Sequence, residues 1–346
     1  MPLRAELVGQ IHQTMIPQSC NIGAVRVSPP TLMAPLAGIT NLPLRLIAKR
    51  WGAGLVCSEM ISANGLAQQS QNTLRMLDSN PAEQPLSVQI FGADAVIMAR
   101  AAEMVQRAGA AVVDINFGCA VRKVVKTGAG AALMKAPQRT ARILEAVRRA
   151  LSVPLTIKIR SGWTDDGAQA LETARIAYEC GVDAIAVHPR TATQGFRGCA
   201  DWTVINRVRQ AVPIPVIGNG DITSAVHARA MFDQTGCHAV MIGRAAIGNP
   251  WLFAEVRAEL EGSAPPVVDA ACRRRAMMRY LDASIAYYGE YHGCRIMRSR
   301  LGWFVKGMPN SSRFREAITR LSSRTEVISV IDDFFRSAEG SFQPPL

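Results

Sequence analysis

Eight short apolar runs recur at nearly even spacing between residues 32 and 245, and helix-like patterns fill the gaps. The runs are LMAPLAG (32–38), GLVCSEM (54–60), LSVQIFG (86–92), VVDINFG (112–118), LTIKIRS (155–161), AIAVHPR (184–190), IPVIGNG (214–220) and AVMIGRA (239–245). Stretches such as ADAVIMARAAEMVQRAGA and QALETARIAYECG separate them. Strands that alternate with helices pair in parallel through crossover helices. Eight such units over about 240 residues match the length of a closed barrel. The competing arrangement is an open doubly wound sheet. No run carries G-x-G-x-x-G, and the units run evenly to eight, so the barrel is preferred. The expected fold class is α/β, a (β/α)8 TIM barrel with a C-terminal all-helical domain.

The segment EGSAPPVVDA (261–270) breaks the rhythm with paired prolines and small residues, as a linker does. Beyond it, apolar residues return at intervals of three and four, which predicts a helical bundle. The expected division is an extension over 1–30, a barrel over 31–262 and a helical domain over 263–346. Hydrophobic residues make up 49% of the chain, enough for a large core. The formal net charge is +12, which favours a polyanionic partner over an acidic one. The eight cysteines form no C-x-x-C pair and no zinc spacing, so no metal site is expected. Free cysteines and the absence of a secretory h-region or an 18-residue apolar run place the chain in the cytoplasm, off the membrane.

In a parallel barrel, chemistry gathers where the strands end. The runs deliver Gln89, Asn116, Cys119, Lys158 and His188 to that face, then Asn219, Gly220, Asp221, Gly243 and Arg244. GNGDIT (218–223) and IGRAAIGNP (242–250) follow the seventh and eighth strands, where barrels often hold a phosphate. Taken singly, each could be a plain tight turn. A lysine inside LTIKIRS needs a partner for its charge, such as a phosphate or a flavin ring. His188 could be a satisfied core histidine, although its place beside Pro189–Arg190 makes a ligand contact competitive. Gln89 offers both donor and acceptor to a pyrimidine-like ring edge.

MAPLAGITNLPLR (33–45), SEM (58–60), VQIFG (88–92), DINFGC (114–119), KVVKTGAGAAL (123–133), IKIRSGW (157–163), VHPRT (187–191), GNGDI (218–222) and MIGRAAIGNPWLF (241–253) together resemble the tRNA-dihydrouridine synthases, and most closely their bacterial B-type (NifR3-like) branch. RSRLGWFVKGMP (298–309) resembles that family's helical tail. The resemblance implies an FMN-binding barrel that clasps tRNA together with its tail. It places FMN contacts on Pro35, Leu36, Ala37, Gln89, Lys158, His188, Asn219, Gly220, Asp221, Gly243 and Arg244. It places the catalytic cysteine on Cys119, although Ala120 replaces the family's usual proline.

The implied reaction reduces the C5=C6 bond of a D-loop uridine, with position 17 the indicated target. Hydride passes from FMN N5 to C6, Cys119 gives the proton to C5, and NADPH or NADH is the electron donor. An unperturbed thiol is protonated at neutral pH and can act as this acid. Arg122, Lys123, Lys126, Arg298, Arg300 and Lys306 are expected to meet the tRNA backbone. Arg273, Arg274, Arg275, Arg295, Arg313 and Arg315 extend the tail's basic face. Trp303 and Phe304 are expected in the core rather than stacked on bases, and the chain is expected to be a monomer. The alternatives are a flavin barrel that reduces a free pyrimidine and a non-catalytic RNA-binding protein.

Overall fold

Strands covered on both faces have no solvent side to alternate with, so their sequences read as unbroken apolar runs. The computed structural model describes residues 17–163 and 167–338. A hairpin, β1 (Cys20–Ile22) and β2 (Val25–Val27), comes first. It is followed by β3 (Thr31–Met33), β4 (Leu55–Cys57), a two-residue β5 (Ile61–Ser62), β6 (Leu86–Phe91), β7 (Val112–Phe117), β8 (Leu155–Gly162), β9 (Ala184–Thr191), β10 (Val216–Asn219) and β11 (Ala239–Ile242). β3, β4 and β6–β11 pair in parallel in one closed ring, in which β4 meets both β3 and β6, and β5 pairs in parallel with the end of β6. The eight-stranded barrel expected from the eight runs is therefore present. β8 and β9 run further than expected, to the shifted pairing Gly162↔Thr191. Lys158 and His188 lie within these strands.

Alternation still operates, but between lumen and helices rather than between core and water. One set of side chains, including Ile115, Ile157, Ile159, Ile185 and Val187, packs with the surrounding helices. The other set faces the lumen. Its lower part is apolar: Leu32, Leu55, Val112, Ala184, Ile217 and Ala239 form one cluster that Cys20, Ile22 and Val27 of the hairpin join. The described part of the expected 1–30 extension thus shares the lumen core, and residues 1–16 lie outside the described residues. Above that cluster the same strand faces turn polar, with Gln89, Asp114, Asn116, His188, Arg190 and Asn219 all buried.

Helix Leu252–Glu261 ends on Gly262 in the left-handed region, and residues 263–269 are irregular. Asp269 then caps the next helix by accepting from Cys272 N at 2.7 Å. The tail helices are Ala270–Tyr288, Glu290–Phe304, Ser311–Ile318 and Arg324–Ala338, and residues 339–346 lie outside the described part. They share the barrel's outer core through Trp251, Tyr280 and Phe304, whose rings sit about 6 Å apart. Phe304 is 1% exposed as expected, but Trp303 is 38% exposed. Neighbouring helical positions point about 100° apart, and here Phe304 faces the core while Trp303 turns partly to solvent. Helix Glu290–Phe304 reaches the barrel mouth, where the Arg300 guanidinium donates to the Gly38 carbonyl. No helix among the described residues is long and apolar enough to cross a membrane.

Candidate active site at the barrel mouth

Cys119 follows β7 on a loop that hydrogen bonds hold on every side. Asn116 Oδ1 accepts from Cys119 N at 2.8 Å and from Gly118 N at 3.1 Å. Ala131 N donates to the Cys119 carbonyl at 3.0 Å, and Arg160 Nε donates to the Gly118 carbonyl at 2.7 Å. Gly130 makes the first of these possible. Its φ is +61°, and a Cβ there would lie 2.6 Å from the Cys119 carbonyl oxygen. Cys119 itself is partly exposed, whereas Cys20, Cys57, Cys237 and Cys294 are buried.

Asn116 is fixed in turn. Its Nδ2 donates to Gln89 Oε1 at 2.8 Å, and Gln89 Nε2 donates to Asp114 Oδ2 at 2.6 Å. Thr156 Oγ1 donates to Asp114 Oδ1 at 2.6 Å. The register explains the chain: Gln89 pairs with Asp114, Asp114 with Thr156, and Asn116 with Lys158. Burial pushes the Asp114 carboxyl above its ordinary range, against the hydrogen bonds from Thr156 and Gln89. Gln89, expected to offer its amide to a ligand, spends both amide atoms inside this network and is 1% exposed.

Beside this satisfied network lies a group of cations. Burial lowers Lys158 to about 8, helped by Arg160 and opposed by Asp114. Among the described residues no ion pair reaches Lys158, Arg160 or Arg244. Arg190 is the exception, meeting Asp221 Oδ2 at 2.8 Å. His188 sits among these groups with its Nε2 3.3 Å from Arg190 Nη1. Burial, then Lys158, Arg160, Arg190 and Arg244, push its pKa down to about 2, so it is neutral. Arg160 and Arg190 are buried, Lys158 is partly buried and Arg244 is exposed at the rim, and buried positive charge beyond what Asp221 matches is costly unless an anion arrives. This donor set therefore fits a phosphate-bearing ligand.

The loops after β10 and β11 complete the rim. Asn219 Nδ2 donates to the Met241 carbonyl at 2.7 Å. Gly220 has φ +127°, and a Cβ there would meet Ala200 Cβ at 2.9 Å. The Asp221 carboxylate is occupied by Arg190 and by Ala200 N, so it braces the loop and has its charge matched. Gly243 and Arg244 open onto the mouth beside Pro35, Leu36 and Ala37, which are partly or fully exposed. Phe196 lies over the cations, 4.6 Å from the Arg244 guanidinium and 5.6 Å from that of Arg160.

The expected RNA contacts divide. Arg122, Lys123 and Lys126 are exposed on the turn just past Cys119. Lys306 is exposed beside Trp303, at 5.8 Å from its ring. Arg298 instead donates to the Leu321 and Arg320 carbonyls at 2.8 and 3.2 Å. Arg274 is held by Asp332 at 2.7 Å. Sequence reasoning passed over Arg160, Asp114 and Phe196. Period-two alternation was the available signal for the first two, because Thr156, Lys158 and Arg160 share one face of β8 and Asp114 shares one with Asn116. No pattern marks Phe196.

Residues 32–339 match the family model described as dihydrouridine synthase (Dus). The chain is 41% identical over 326 residues to tRNA-dihydrouridine synthase B of Xanthomonas campestris pv. campestris, covering 94% of this chain and 98% of the relative. It is 38% identical over 324 residues to a probable tRNA-dihydrouridine synthase of Rickettsia conorii, covering 91% and 96%. Among solved structures it is similar in fold to a histamine dehydrogenase from Rhizobium sp. 4-9, with a TM-score of 0.54 and 12% identity. That likeness covers 78% of this chain and spans about half, 51%, of the other. A DHODH from Eimeria tenella in complex with ferulenol gives 0.53 at 15% identity, covering 70% and 83%.

Proposed function

From the premise that this chain belongs to the dihydrouridine synthase family, we propose that it reduces a D-loop uridine of tRNA, position 17, at the barrel mouth. The observation that carries the reading is a partly exposed thiol on a braced loop beside a cation group, buried at Arg160 and Arg190 and open at Arg244, that is short of anions. The cofactor is FMN: Lys158, Arg160 and Arg244 offer charge to its phosphate and ring edge, and neutral His188 offers a ring nitrogen. When bound and reduced at the expense of NADPH, FMN supplies the hydride that adds to uracil C6.

The chain's own residues do the rest. Asn116, Gly130 and Arg160 fix the loop from which Cys119 Sγ delivers its proton to C5. That proton completes the addition of two hydrogens across C5=C6, and solvent restores the thiol. Arg122, Lys123, Lys126 and Lys306 bind the RNA backbone. Base extrusion costs a few kcal/mol, which those phosphate contacts offset. Arg300 acts through the mouth loop at Gly38 rather than on phosphate, and Arg298 secures the tail.

The test is incubation of purified, FMN-loaded protein with NADPH and an unmodified tRNA transcript, followed by nucleoside mass spectrometry. Dihydrouridine at one D-loop site is expected. NADPH-dependent reduction of free uracil with no change in tRNA would instead identify the free-pyrimidine enzyme.

A further inference from the structure

A cavity of about 420 Å³ opens between the loops after β3 and β4 and the tail helices, away from the cation group. Its volume lies in the range of small-ligand sites. Glu59, Asn41 and Arg75 line it from the barrel, and Tyr287, Tyr288 and His292 from the tail. The cavity is close to the mouth, because Gly38 N donates to Glu59 Oε2 and the Gly38 carbonyl accepts from Arg300. Gly38 belongs to the same loop as Pro35, Leu36 and Ala37. A polynucleotide with one base in the mouth therefore has a second socket within a short reach.

The lining has the chemistry of a base site. Glu59 is partly buried, and its second oxygen, Oε1, makes no hydrogen bond or ion pair among the described residues. Burial pushes its carboxyl above the ordinary range, a state that incoming N–H donors relieve. Two cations act on Glu59 from nearby: Arg300, which donates to the Gly38 carbonyl, and Arg45, which is engaged by Glu83 at 2.6 Å and by the Thr40 and Asp78 carbonyls at 3.0 and 2.8 Å. Neither forms an ion pair with Glu59. Tyr287 and Tyr288 meet edge to face at 4.5 Å, and the Tyr287 hydroxyl is anchored on Asp78 Oδ2 at 2.8 Å. Fixed aromatic rings are the usual platform for an unstacked base. Arg75 and His292 are exposed at the rim, where a phosphate would pass.

We propose that this cavity takes a second, unstacked nucleotide of the tRNA substrate, and that the nucleotide is a guanosine. The inference rests on the tRNA-reducing reading above. Oε1 is unbonded and Oε2, which accepts from Gly38 N, keeps a second lone pair, so the carboxylate still presents two acceptors, and guanine alone among the four bases offers two adjacent donors, N1–H and N2–H, on one edge. Uracil offers one donor between two carbonyls, which the carboxylate repels. Adenine and cytosine offer a donor next to an acceptor. The socket fixes the register of the tRNA, so that one particular uridine reaches the mouth.

The test measures KM for tRNA, with the NADPH-driven flavin reduction rate as an internal control. Glu59→Gln keeps an acceptor for Gly38 N but lacks the second acceptor for guanine. It should raise KM for tRNA about tenfold and leave flavin reduction unchanged. Tyr288→Leu, which removes the ring and leaves Glu59 in place, should act in the same direction. Wild-type transcripts carrying inosine for single guanosines in the D loop should identify one position that raises KM about tenfold. That effect should vanish in Glu59→Gln. If wild-type protein makes dihydrouridine but Glu59→Gln keeps its KM, or no inosine position matters, the socket is overturned and the family reaction stands. If wild-type protein makes no dihydrouridine, the broader reading fails first.

Discussion

Thr156 and Lys158 lie two residues apart on the same face of β8, yet they belong to different kinds of structure. Thr156 joins Asp114, Gln89 and Asn116 in a chain in which donors meet acceptors within the protein. Lys158 joins Arg160, Arg190 and Arg244, where positive charge exceeds what Asp221 matches. The difference separates a frame from a binding site. A closed network contributes stability and placement, whereas an unbalanced group stores a cost that a ligand removes. Cys119 stands at the junction, with Asn116 of the frame on one side and Arg160 of the cation group on the other.

The comparison can be broken most sharply at that junction. Cys119→Ala should lower the single-turnover rate of dihydrouridine formation by about 10²–10⁴-fold, with FMN retention unchanged. Near wild-type product would remove the proton-donor role. Next in size, Lys158→Met should weaken FMN binding about 10–100-fold in a flavin absorbance titration.

Lys158 also makes a pH prediction. Its folded pKa, about 8, lies below the unfolded value, so between about 8 and 10.5 the unfolded chain holds the proton and the folded chain does not. Flavin-free wild type should therefore gain stability relative to Lys158→Met as pH rises through that window. Thermal melts of the two proteins across it check the sign.

On the frame side, Thr156→Val should cost about 1–2 kcal/mol in urea unfolding. The smallest effect belongs to the turn beyond Cys119. Lys126→Ala should raise KM for tRNA about two- to threefold and reduce its salt dependence by about one counterion.

Much of this molecule was legible because parallel strands buried on both faces leave continuous apolar runs. Each of β3, β4 and β6–β11 falls on one of the eight runs. β5 and the hairpin strands, of two or three residues each, lie outside the continuous apolar runs that gave away the equally short β3 and β4. Lys158 stood out because a charged group in an apolar strand demands a reason, and His188 and Arg244 because they fall near strand ends at the barrel mouth. Gln89 was legible as a polar lumen residue, but its partners depend on the register with β7. Phe196 over Arg244 and the Glu59 cavity depend on how loops meet, which no local pattern encodes. The exposed face of Trp303 was missed because an aromatic at helical spacing looks the same whichever side of the helix it takes.

The most direct measurement is FMN titration of three flavin-free proteins: wild type, Thr156→Val and Lys158→Met. The account predicts one flavin per chain with near-equal affinity in the first two and a large loss in the third. Equal loss in both variants, or no loss in Lys158→Met, would contradict the division of the barrel mouth into a frame and a flavin site.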